Sequence, residues 1–140
     1  MLKLGGYINI FIAASHLIGL LWAEQVFRFF RITKVMEELA QLHSSFPYLL
    51  TLFVSIVFLT FGLYGLSADG KIRTLPWLKP VVFFIANIYL LRGIAELVGL
   101  VMRGTNIVIS LVYTFLAIAI GLLFLLGGLK KWQVSKNNKK

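Results

Sequence analysis

Four apolar runs, each about 20 residues long, constrain this chain more than any other feature of its sequence. They cover residues 4–23, 47–66, 78–102 and 107–129. A run of that length crosses the hydrocarbon of a bilayer as a helix, because backbone amides in lipid must form their hydrogen bonds within the helix. The sequence therefore predicts an all-α membrane protein, a bundle of four transmembrane helices.

Composition excludes the soluble classes of protein. Of the 140 residues, 59% are apolar, and the mean hydropathy of the chain is +0.90. A soluble domain cannot bury that share of apolar surface. The net charge of +9 lies mostly between the apolar runs, where Lys and Arg set topology and contact anionic lipid. We therefore expect the lipid bilayer as a partner and no nucleic acid, and the absence of cysteine excludes disulfides and thiolate metal sites.

The distribution of Lys and Arg predicts the orientation. Nine of them fall on the side of the membrane that holds both chain ends, and four fall on the other side. Cytoplasmic loops carry the excess of Lys and Arg, so both termini are expected in the cytoplasm. We expect a single domain over residues 1–132, followed by a basic cytoplasmic tail at 133–140 that is too polar to fold.

Residues 24–46, between the first two runs, are too charged to span the membrane. Phe29, Ile32, Met36 and Leu39 recur at helical spacing, and charged residues lie largely on another face. This pattern predicts an amphipathic helix that lies on the outer surface of the membrane. The alternative is a helix that folds back over the bundle as a lid.

Polar side chains within the runs indicate where a ligand would bind, since a charge at membrane depth normally faces the protein interior. Arg92 and Glu96 are four residues apart on the third run, so they share a face and can pair. Counted from the outer boundary of each run, polar groups of all four helices lie in the outer half. We expect six of them to line one pocket that opens outward: His16, Thr51, Ser55, Arg92, Glu96 and Tyr113.

The same residues also have a structural interpretation. Arg92 and Glu96 form a buried ion pair that fixes helix packing in that case, and His16, Thr51 and Ser55 form hydrogen bonds within or between helices. No metal site is predicted, because the single intramembrane histidine lacks the companions that a protein metal site needs. The sequence specifies no cofactor.

An arginine fork suits an anionic or carbonyl-bearing group, because it donates two parallel hydrogen bonds. The sequence thus favours a non-enzymatic binding or accessory protein that holds a lipid headgroup, a quinone-like molecule or the tail of a partner protein around Arg92. One alternative is a transporter that works as a homo-oligomer, with Glu96 as its proton-coupled carboxylate. Another is a membrane enzyme that uses His16 and Glu96.

Residues 62–76, GLYGLSADGKIRTLP, and residues 89–93, YLLRG, carry a resemblance to a known group of proteins. The stretch from residue 62 to residue 93 that contains them, about a quarter of the chain, resembles small, functionally uncharacterised bacterial membrane proteins. The resemblance implies a four-helix protein of the bacterial inner membrane. It implies no activity and no catalytic residue.

Overall fold

The protein is described here by a computed structural model, which covers residues 1–29, 32–103 and 107–137. Six α-helices follow one another along the chain: α1 (Leu2–Gly19), α2 (Ala23–Phe29), α3 (Thr33–Leu42), α4 (Phe46–Ala68), α5 (Leu78–Arg103) and α6 (Ile107–Asn137). A short 3₁₀ turn, Leu20–Trp22, joins α1 to α2. Within the described ranges the chain is helical, with no strand.

Four helical stretches are long and apolar enough to cross a membrane: Leu2–Phe29, Phe46–Ala68, Leu78–Leu100 and Ser110–Gln133. They confirm the prediction of an all-helical protein with four candidate spans. The first is longer than the predicted 4–23, because the turn at Leu20–Trp22 does not interrupt the helical path between α1 and α2.

Two stretches differ from the sequence-based expectation. The segment 24–46 contains α2 up to Phe29 and α3 from Thr33, with residues 30 and 31 outside the described ranges; its place on the membrane surface stays a prediction. The expectation of an unfolded tail is wrong for residues 133–137, because α6 continues to Asn137. Extending an existing helix costs little compared with starting one, so a polar extension can stay helical. Residues 138–140 lie outside the described part.

The chain divides into two compact units. The first unit is Met1–Ile8 with Leu63–Lys140, and the second unit is Asn9–Gly62. The single domain over residues 1–132 stays a prediction.

In the first unit, α5 and α6 pack against each other as antiparallel neighbours. Gly93 of α5 lies against the side chain of Ile118 of α6, and Gly121 of α6 lies against Leu90 of α5. Glycine at these positions lets the two helix backbones approach closely, as is common in membrane proteins. The contacts fix the register of the pair: three residues forward on α5 correspond to three residues back on α6.

The turn after α4 also belongs to the first unit, and its local sequence explains its shape. Gly70 has a positive φ of 78°; its N–H donates to the carbonyl of Ser67, and that of Lys71 donates to Leu66. This is the Schellman pattern, in which a glycine in the left-handed conformation ends a helix. The second apolar run was expected to end at residue 66, and α4 stops two residues later, at Ala68.

Candidate functional site

Three of the six predicted site residues lie in the second unit, and each forms a hydrogen bond with a backbone carbonyl of that unit. The Nδ1 atom of His16 lies 2.8 Å from the carbonyl oxygen of Ile12, one turn earlier in α1. Since a carbonyl only accepts, Nδ1 carries the proton and donates it. The imidazole ring also packs against Phe58 of α4, with ring centroids 5.2 Å apart.

Ser55 and Thr51 of α4 use their hydroxyls in the same way. The buried Ser55 hydroxyl donates to the carbonyl of Ala13 in α1 over 2.9 Å, so it joins two helices. The Thr51 hydroxyl donates to the carbonyl of Pro47 in its own helix, also over 2.9 Å. These bonds match the structural interpretation of polar residues in spans. A ligand-binding role for these two residues and His16 stays a prediction.

The other three predicted residues lie in the first unit, where α5 carries a stripe of four residues at helical spacing. We call Ile85, Tyr89, Arg92 and Glu96 the polar-ended stripe. Ile85 and Tyr89 are buried, whereas Arg92 is exposed and Glu96 is half-exposed. Residues at this spacing share one side of a helix. The side of α5 that is buried in its first half is therefore charged and open in its second half.

A different side of α5 carries the large apolar residues that suit contact with lipid. Phe84, Leu91 and Val98 are exposed and recur every seven residues. Arg92 is not on that stripe but continues the side that Ile85 and Tyr89 bury. The exposed Arg92 thus lies on a different side of α5 from these apolar residues.

Tyr113 of α6 lies at the level of Val98 in the register given above. It continues a stripe formed by Phe124, Ile120 and Ala117, all buried, and is itself half-buried. Tyr113 lies close enough to Arg92 and Glu96 to feel the charges of both. Arg92, Glu96 and Tyr113 therefore lie within electrostatic range of one another in the first unit, and their joint role as a binding site stays a prediction.

The depth of Arg92 makes this cluster unusual. Arg92 precedes Leu100, the nearer end of the candidate span, by eight residues, which is about 12 Å of helix. Its Cα–Cβ bond tilts toward the start of α5, away from that nearer end. A guanidinium at the centre of a spanning helix costs about 3 kcal/mol on insertion scales. The guanidinium of Arg92 therefore needs polar groups around it.

The predicted ion pair between Arg92 and Glu96 is not formed. In the described part of the chain, an ion pair within 4.0 Å joins Arg28 and Glu24, at 3.9 Å, and none joins Arg92 to Glu96. The carboxylate of Glu96 therefore does not occupy the fork of Arg92 at hydrogen-bonding distance.

Thr114 is a polar residue near this cluster that the predicted site left out. Its side chain is only 6% exposed, and its hydroxyl has no hydrogen-bond partner among the described residues. Thr114 precedes Gly121 by two helical turns, so it shares the side of α6 that faces α5, beside Leu97 in the register given above. The spacing of two helical turns between Thr114 and Gly121 is the sequence pattern that predicts this position of Thr114.

Comparison with known proteins adds nothing to the site. The chain matches no protein-family model, no curated protein and no solved structure at a significant level. The resemblance carried by residues 62–76 and 89–93 therefore stays a prediction. Among the described residues, no three His, Cys, Asp or Glu side chains group as metal ligands.

Proposed function

We propose that this protein is a non-catalytic binding protein of the membrane, in which Arg92 holds an anionic or carbonyl-bearing group of a lipid-like molecule. The observation that carries this proposal is the polar-ended stripe of α5. Arg92 continues a side of the helix that is otherwise buried, yet it is exposed and has no carboxylate in its fork. A ligand that contacts this side of α5 can accept the hydrogen bonds that the guanidinium of Arg92 donates.

Depth narrows the class of ligand. A phosphate headgroup stays at the membrane boundary, about 12 Å from the level of Arg92. A carboxylate or ketone oxygen on an apolar molecule reaches that level, as in a fatty acid or a quinone-like compound. The guanidinium donates two parallel hydrogen bonds to it, and the hydroxyl of Tyr113 supplies another hydrogen-bonding group nearby.

The contacts of His16 within its own unit favour a binding function over the enzyme alternative. Its Nδ1 proton is used by the carbonyl of Ile12, and its ring packs on Phe58. These contacts suit a structural histidine. Transport through Glu96 in a homo-oligomer remains the alternative function, and it predicts proton-dependent uptake instead of stoichiometric binding.

The proposal is tested with two probes, oleic acid and a short-chain ubiquinone, titrated against the purified protein in detergent by calorimetry. At least one probe is expected to bind. Arg92→Gln is expected to weaken that binding about tenfold or more, because it removes a charge-assisted, two-point contact. Arg92→Lys keeps the charge without the fork and should give an intermediate loss. Tyr113→Phe removes only a hydroxyl and should weaken binding less than Arg92→Gln does.

Arg73→Gln serves as the matched control, since it makes the same charge change in the exposed turn after α4. Its affinity should equal that of the unaltered protein. If neither probe binds, the proposal is contradicted. So does an Arg92→Gln variant that folds and binds with unchanged affinity.

We also propose a location in the bacterial inner membrane with both termini in the cytoplasm. Four candidate spans return the chain to the side on which it began, and Lys and Arg favour that side by nine to four. The segment that contains α3 then lies on the outer surface, where its apolar side chains contact lipid.

The absence of cysteine makes this topology directly testable. A membrane-impermeant maleimide should label Glu38→Cys in α3 on intact cells and should label Gln133→Cys only after the membrane is permeabilised. Both positions are exposed. The unaltered chain should take up no label. The reverse pattern of labelling would overturn the orientation.

A further inference from the structure

A cavity of about 460 Å³ opens at the end of the first unit where α4 stops. Its lining comes from α1, α4, α6 and the turn after α4: Met1, Leu2, Ala68, Asp69, Gly127, Lys130 and Lys131. The volume falls within the usual range for small-molecule sites. The cavity lies at the other end of the α5 and α6 pair from Arg92 and does not depend on the function proposed above.

Among the side chains that line this cavity, two are cations and one is a carboxylate. The ammonium of Lys131 donates a hydrogen bond to the carbonyl of Ala68, the last residue of α4, and lies 5.9 Å from the ring centroid of Trp132. A cation at a helix C-terminus is held there by the helix dipole. The ammonium has three N–H donors, and Ala68 uses one of them.

The other two charges, Lys130 and Asp69, are exposed at the cavity. Within the described part of the chain, no ion pair under 4.0 Å joins Asp69 to Lys130 or Lys131. The three charges are thus arranged around the cavity without neutralising one another in contact. This pattern suits a ligand that carries both signs of charge.

The position of the cavity along the helices indicates where that ligand comes from. Lys130 and Lys131 follow the last apolar residues of α6, and Asp69 follows the end of α4. The ring of Trp132 packs on Phe83, with centroids 5.7 Å apart, and Trp is enriched at the membrane–water interface. Lipid headgroups lie at this level.

We propose that this cavity binds the headgroup of phosphatidylethanolamine. Lys130 and Lys131 hold the phosphate by charge-assisted hydrogen bonds. Asp69 accepts from the primary ammonium, which donates N–H groups as a lysine does. Phosphatidylglycerol offers the phosphate without the cation, and the quaternary ammonium of phosphatidylcholine has no N–H to donate.

The test is native mass spectrometry of the purified protein titrated with these three lipids, all carrying the same acyl chains. Phosphatidylethanolamine adducts are expected to exceed those of the other two lipids by about fivefold, the equivalent of one charge contact at the membrane surface. Asp69→Asn should lower the preference for phosphatidylethanolamine over phosphatidylglycerol by about the same factor. Lys130→Gln should reduce the adducts of both phospholipids together.

Lys79→Gln is the matched control, because Lys79 is exposed near the start of α5 and does not line the cavity. Its adduct pattern should match that of the unaltered protein. Equal adducts for all three lipids, or an unchanged preference in Asp69→Asn, would overturn the proposal. Free phosphoethanolamine should bind much more weakly than the lipid; equal binding would assign the cavity to a soluble ligand instead. Arg92→Gln should leave all of these results unchanged.

Discussion

Gly65→Ala is expected to destabilise the protein by about 3 kcal/mol, since overfilling a close contact costs this much when the neighbours cannot yield. A Cβ atom at position 65 would lie 2.8 Å from the Cα atom and 2.9 Å from the nitrogen of Gly6, and 3.0 Å from the carbonyl oxygen of Leu2. All three are backbone atoms, so no side-chain rotation relieves the clash. The α1 backbone of the first unit would have to move away from α4.

Thermal unfolding in detergent, followed by tryptophan fluorescence, measures this effect. A fall in Tm of about 10 °C is expected for Gly65→Ala. Gly99→Ala is the matched control, because Gly99 also lies within a helix but its Cβ would meet nothing within 4 Å. It should leave the Tm unchanged or raise it slightly, since alanine favours the helix. Similar Tm values for the two variants would refute the close contact.

Ser67→Ala is expected to cost about 2 kcal/mol and to loosen the turn after α4, because it leaves two polar backbone groups without their partner. The buried Ser67 hydroxyl donates to the carbonyl of Arg73 over 3.0 Å and accepts from the N–H of Leu75 over 2.9 Å. One side chain therefore holds both arms of the turn. Tyr64 adds a bond from its hydroxyl to the carbonyl of Pro76 over 3.1 Å.

Two readouts test the role of Ser67. The Tm should fall, and trypsin should cleave after Lys71 and Arg73 faster than in the unaltered protein. Ser15→Ala is the control, since Ser15 is exposed and bonds only to the carbonyl of Phe11 in its own helix. That change should stay within about 0.5 kcal/mol. Unchanged cleavage in Ser67→Ala would show that the hydroxyl does not hold the turn.

The sequence singled out residues for a candidate site but not the contacts of their side chains. Arg92, Glu96 and Tyr113 could be found from sequence, because a charged or polar residue in an apolar run is conspicuous and rare. The groups that their side chains contact could not be found from sequence. Four-residue spacing suggested that Arg92 pairs with Glu96, yet spacing does not fix side-chain rotamers, and the pair is not in contact.

The cavity at the end of α4 is a second feature that could not be predicted from sequence. In the sequence, Lys130 and Lys131 count only as topology signals. Asp69 only marks the end of the second span. Asp69 and the two lysines are about 60 residues apart in the chain, and such pairs meet only through the packing of whole helices.

The sequence by itself determined that the chain forms four helices long and apolar enough to cross a membrane, and where α4 ends. Hydrocarbon thickness acts on each segment separately, and a glycine ends a helix through its own backbone conformation. Tertiary structure alone decided that Gly65 touches the backbone of Gly6, that Ser67 holds Arg73 and Leu75, and which side of α5 is buried. The Gly65 contact and the burial of α5 depend on the approach of distant helices, and the Ser67 bonds depend on the path of the turn. No pattern of helical spacing encodes either.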